Sequence, residues 1–87
     1  MKIVNIKKEK CTHYIGRGSI FGNPYKIGRD GCRANVINLF EKYAKMSPKL
    51  LLAINNLPEN AVLGCFCKPL LCHGDIIIKL WKEGHEN

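Results

Sequence analysis

Two stretches of this chain concentrate the residues able to do chemistry. The run Cys65-Phe66-Cys67-Lys68-Pro69-Leu70-Leu71-Cys72-His73-Gly74-Asp75 places three thiols, an imidazole and a carboxylate within eleven residues. Three readings of it stand side by side. Soft and imidazole ligands suit zinc, so Cys65, Cys67, Cys72 and His73 form one candidate metal set. Their spacing departs from the paired Cys-x-x-Cys knuckles of zinc ribbons, and no metal is favoured on that ground. Cys72 stands just before an expected helix, where the dipole and a neighbouring imidazole would lower a thiol's pKa and make a nucleophile. In a variant of that reading His73 or Asp75 is the general acid or base. The third reading is structural: Cys65 and Cys67 pack as small hydrophobes in a buried strand, while His73 and Asp75 hold the start of the last helix.

The second stretch is Tyr14-Ile15-Gly16-Arg17-Gly18-Ser19-Ile20-Phe21-Gly22-Asn23-Pro24. Its glycines match neither the dinucleotide fingerprint, whose following helix Asn23-Pro24 cannot start, nor a Walker loop, which needs Gly-Lys-Ser/Thr. A guanidinium between two glycines nevertheless presents a planar fork beside accessible amides, an arrangement suited to phosphate or carboxylate. Gly16, Arg17, Gly18, Ser19, Gly22 and Asn23 are therefore the candidate ligand-binding set, with Asn23 placed to read a base edge or ribose. Pairing of Arg17 with an internal acid such as Asp75 is the structural alternative. Tyr14, Phe21 and Tyr25 either stack a base or pin the loop.

These stretches need elements to hold them. Lys2–Ile6 reads as a short strand, and Tyr14-Ile15 as a second extended piece. Glycines and Pro24 punctuate residues 16–31 as one long loop. Asp30 is placed to cap a helix whose apolar face is Val36, Ile37, Phe40, Tyr43 and Ala44. Ser47-Pro48 opens a second helix through Leu50, Leu51, Ile54 and Leu57. Ala61–Cys67 reads as a buried strand, and Asp75–Glu83 as a last helix with Gly84 as its stop. Strands separated by helices pair in parallel. The expectation is one compact α/β domain over residues 1–87, with a small, mostly parallel sheet and about three helices. Residues 1–33 hold the basic strand and Gly-rich loop, 34–57 two helices, and 61–83 the strand, Cys/His turn and C-terminal helix.

Eighty-seven residues suffice for one core, not two. With 46% hydrophobic and 24% charged residues, the composition excludes a disordered tail or a multi-span membrane protein. No apolar run reaches the ~20 residues of a spanning helix, and no secretory leader is visible, so a cytoplasmic location with mostly reduced thiols is expected. The net charge of +7 is uneven. Residues 1–33 carry eight bases against two acids, a net +6, and residues 34–87 six against five, a net +1. A cationic first third either keeps a small protein soluble or meets an anion.

At its two motifs the sequence resembles the small phage and bacterial domain of unknown function 4326. The shared features are the stretch from Tyr14 to Arg33 and the Cys-x-Cys-x-Pro-x-x-Cys-His-Gly-Asp pattern from Cys65 to Asp75. Cys11 lies outside the shared pattern, and Cys32 takes a position within it often filled by a small polar residue, so neither is assigned a shared role. The resemblance covers nearly the whole chain and implies a phage or mobile-element setting; it implies no activity. The combined expectation is a domain that binds a phosphate-bearing ligand, a nucleotide or nucleotide-like molecule, in order to process or sequester it. Two alternatives are a nucleic-acid-binding module with or without a zinc-stabilised Cys/His cluster, and a hydrolase or transferase using Cys72 or His73. A homodimer would suit so small a chain.

Overall fold

The computed structural model describes residues 1–86 and has the order β1 (Lys2–Asn5), β2 (His13–Tyr14), α1 (Arg33–Lys45), α2 (Pro48–Asn55), β3 (Val62–Cys65), α3 (Gly74–His85). This is an α/β domain with three helices and a three-stranded sheet of order β1-β3-β2. Both pairings are parallel: Lys2 faces Val62 and Asn5 faces Cys65 on one side, and His13 faces Leu63 and Tyr14 faces Gly64 on the other.

The last strand in the chain is thus the middle strand of the sheet, and its two faces differ. Leu63 and Cys65 alternate into the main core, where Ile15, Phe40, Ile54 and Ile77 are wholly buried. Gly64 points the other way. A Cβ there would stand 2.5 Å from both Cys11 Sγ and Ile6 Cγ2, so the β1–β2 connection crosses this face at contact distance. The expected extension of the strand to Cys67 is not seen. Asn5 and Tyr14 end the flanking strands opposite Cys65 and Gly64, leaving Phe66 and Cys67 no ladder to join.

Local chemistry sets the helix ends. Ser47 caps α2 as expected, its Oγ accepting the Leu50 N–H at 3.3 Å with Pro48 in the first turn. Asp30 does not cap α1. Its carboxylate accepts from the Lys26 amide and Arg29 Nε, both at 2.9 Å, and so closes the preceding turn. Gly31 then passes through φ +127°, and Cys32 takes the cap position, donating its N–H and S–H to Asn35 Oδ1. Gly84 does not stop α3, which continues to His85; it is a close-approach glycine, since a Cβ would overlap Asn55 Oδ1. Outside the core, Glu41 on α1 bridges Lys45 at 2.9 Å and Lys79 of α3 at 2.7 Å. Trp81 Nε1 donates to the Leu57 carbonyl at 2.8 Å.

Candidate functional site

A cavity of about 370 Å³ opens where β2 and β3 end, the edge at which open α/β sheets take their ligands. Three segments wall it. The Gly-rich loop contributes Arg17, Asn23, Tyr25 and Ile27; α1 contributes Arg33, Val36 and Ile37; the turn from β3 to α3 contributes Cys65, Phe66, Cys67, Leu71, Cys72 and His73. Tyr14 completes the rim, packing edge-on to Phe66 with ring centroids 6.3 Å apart. Lys7 lies 5.9 Å from the Phe66 ring centre. Two guanidiniums line the cavity and, among the described residues, no carboxylate does.

The Gly-rich loop does fold over the sheet edge, and most of its polar groups are used in holding its own shape. The Ser19 hydroxyl and amide both donate to the Gly16 carbonyl, at 2.7 and 3.2 Å, and the Gly22 amide donates to the Ser19 carbonyl at 3.1 Å. Gly16 is a glycine because the Tyr14 ring occupies the place of its Cβ; Gly22 is one because a Cβ would stand 2.8 Å from the Gly16 carbonyl. Gly18, Ser19 and Gly22 do not line the cavity. The row of open loop amides expected around Arg17 is therefore not formed at Ser19 and Gly22. Asn23 lines the cavity but is spoken for: Nδ2 donates to the Val36 carbonyl at 3.0 Å and Oδ1 accepts from Tyr25 N–H at 3.0 Å, tying the loop to α1. The Arg17 side chain is exposed and, among the described residues, pairs with neither Asp75 nor any other carboxylate.

The Cys/His turn is divided in the same way. His73 is buried, with Nε2 2.7 Å from the Ile15 carbonyl and the ring edge-on to Phe40 at 5.0 Å. Burial holds its pKa below the ordinary value, against the opposing pull of the Ile15 and Phe21 carbonyls. It is a neutral imidazole donating from Nε2, joining α3 to the end of β2. Asp75 does not face the cavity; its carboxylate accepts the Cys72 amide at 3.3 Å in the first turn of α3. The expected grouping of His73 with Asp75 across the ligand is thus not formed. Cys72 lies at the helix start as expected, but its thiol is 1% exposed and burial pushes its pKa up to about 12, opposite to the shift an activated nucleophile needs. The sulfurs of Cys65, Cys67 and Cys72 lie within 4.8 Å of one another, while His73 stays outside that group on the Ile15 carbonyl.

One important lining residue was not in the candidate set. Arg33, the first residue of α1, donates from Nη1 to the Leu71 carbonyl at 2.9 Å, which aims its fork along the cavity wall. Its signal in the sequence was its place as the last base of the long Gly-rich motif.

A parallel three-stranded α/β domain with a cationic, thiol-floored cavity at its carboxyl edge is the class that fold and site define. The chain belongs to the family described as Domain of unknown function (DUF4326), whose model matches residues 3–83. It is 36% identical over 80 residues to an uncharacterized 12.4 kDa protein in the nrdA-td intergenic region of Enterobacteria phage T4. The match covers 87% of this chain and 72% of the phage protein. No solved structure matches. No helix among the described residues is long and apolar enough to cross a membrane.

Proposed function

We propose that this domain binds a phosphate-bearing small molecule of the nucleotide class in the cavity at the sheet's carboxyl edge. The supporting observation is the lining itself: Arg17 and Arg33 without a carboxylate to neutralise them, beside the rings of Tyr14, Tyr25 and Phe66. Two guanidinium forks suit phosphate oxygens, aromatic faces suit a base, and the volume falls in the ~300–1,000 Å³ range of small-molecule sites. Arg33 is already oriented by Leu71, so little side-chain freedom is lost on binding it. The loop glycines serve the loop's own fold, so the phosphate is held by side chains and not by a nest of amides. With the Cys72 side chain buried and, among the described residues, no carboxylate in the cavity wall, the reading is one of binding or sequestration.

Thermal unfolding in the presence of nucleotides, nucleosides and inorganic phosphate tests it. A nucleotide at about 100 times its Kd adds ~2.7 kcal/mol of stability, and Arg17→Ala or Arg33→Ala removes most of that gain. If no nucleotide raises the unfolding temperature, the reading is wrong. Exposed Lys7, near the Phe66 ring of the rim, and the exposed Lys8 and Lys10 that follow it in the chain favour a second reading, binding of a longer polyanion. That reading requires affinity to fall steeply with salt, in proportion to the phosphates neutralised.

A further inference from the structure

The geometry points to a metal site that the anion reading does not use: Cys65, Cys67 and Cys72 bind one zinc ion through three sulfurs, with the fourth position open to the cavity. Sulfurs ~2.3 Å from zinc at tetrahedral angles stand ~3.8 Å apart. Here Cys65 Sγ and Cys72 Sγ are 3.6 Å apart, and all three sulfurs fall within 4.8 Å of one another. The set comes from the fold, since Cys65 ends β3, Cys67 follows the bend at Phe66, and Cys72 returns the chain to the start of α3.

Three features around the sulfurs fit a thiolate site. The Gly74 amide donates to Cys72 Sγ at 3.2 Å, the kind of outer contact that orients a ligand and carries part of its charge. The N-terminal end of the twelve-residue α3 lies against the same sulfur and favours negative charge there. Three thiolates on a dication leave one net negative charge, and Arg17 and Arg33 line the same cavity. His73 is not the fourth ligand in this arrangement, because neither of its ring nitrogens comes within 4.8 Å of all three sulfurs. All three cysteines line the cavity, so the fourth position takes water or a donor atom of a bound molecule. Binding is an exchange of the ion for three thiol protons, which leave to solvent; a bound dication takes them whatever the acidity of the free thiols.

The test uses the whole chain, purified without a metal-affinity tag and kept reduced. Reconstitution with zinc should give one ion per chain. Cobalt in its place should give sulfur-to-metal charge transfer and the visible bands of a tetrahedral ion. Cys67→Ser is the informative variant, because Cys67 is only partly buried and lies at the edge of the core; it should fold and lose at least ~10-fold in zinc affinity. Cys32→Ser, at the exposed cap of α1, should lose none. The inference fails if zinc does not load and cobalt shows no charge-transfer band. It fails equally if Cys67→Ser binds zinc as tightly as the parent, or if Cys65 and Cys72 form a disulfide that zinc does not prevent. None of these readouts involves a nucleotide, so this inference and the anion reading stand or fall separately.

Discussion

The Gly-rich loop and the Cys/His turn face each other across one cavity, and each divides its polar residues in the same way with opposite results. In the loop, Ser19 and Asn23 are consumed in holding the backbone, and what remains is the hard, exposed charge of Arg17. In the turn, His73 and Asp75 are consumed in fixing α3 to the sheet, and what remains is three soft sulfurs, two of them 1% exposed. A run of reactive residue types is therefore mostly scaffold, and the groups proposed to bind are those that the scaffold leaves along the cavity wall. The residues that look most catalytic by type, His73 and Asp75, are the ones most fully used by the fold.

That contrast can be broken by experiment, most sharply at His73. Replacing it with Ala leaves the buried Ile15 carbonyl without a donor and opens a void against Phe40, a cost of about 3 kcal/mol in urea unfolding. A loss under about 1 kcal/mol would show that His73 is not the strut described. The same residue sets a pH dependence. Its folded pKa lies below the ordinary 6.5, so between the two values the unfolded chain binds the extra proton. Stability is full above pH 6.5 and falls as the pH drops below it, by at most ~1.4 kcal/mol per pH unit. His73→Gln should flatten that decline, and an unchanged profile would assign it elsewhere.

On the other wall, Ser19→Ala should cost about 1 kcal/mol yet leave anion affinity per folded molecule unchanged. Arg17→Ala should do the reverse: stability within about 0.5 kcal/mol of the parent, with the nucleotide-induced rise in unfolding temperature lost. Equal effects of these two substitutions on binding would erase the distinction between scaffold and site. The smallest effect belongs away from the cavity. Glu41, held below its ordinary pKa by hydrogen bonds from Lys79 and Lys45, is a surface bridge, so Glu41→Gln should cost about 0.5 kcal/mol. That cost should shrink at ~1 M salt, and its contribution in the parent is lost as the pH falls through the depressed carboxylate pKa.

The fold was largely legible in the residues. Alternating and helical apolar periods, the Ser47-Pro48 start and the loop glycines all point where the structure goes, because each is a local preference. Even the meeting of loop and turn at the sheet edge follows from strand order. What the residues did not show was which partner each polar group takes. Asn23 and His73 bond to backbone carbonyls of Val36 and Ile15, and no side-chain pattern marks a carbonyl as waiting for a donor. Asp30 and Gly84 read by their commonest local roles as cap and stop; a competing local turn with Lys26 and Arg29 takes the first, and a tertiary contact with Asn55 explains the second. Arg33 was hidden by its position as a helix residue, since only the Leu71 carbonyl turns it toward the cavity.

The sheet's strand order also bears on how the molecule assembles. Lys2 pairs with Val62 and His13 with Leu63, so neither early strand has anything to pair with until the late one exists. On a ribosome, α1 and α2 can form while the sheet cannot, and two short strands wait unpaired as most of the chain is made. Such non-local pairing raises contact order and slows folding relative to a helical bundle of this size. The cavity, lined by residues from Tyr14 to His73, cannot be complete before the turn that follows β3 has been made.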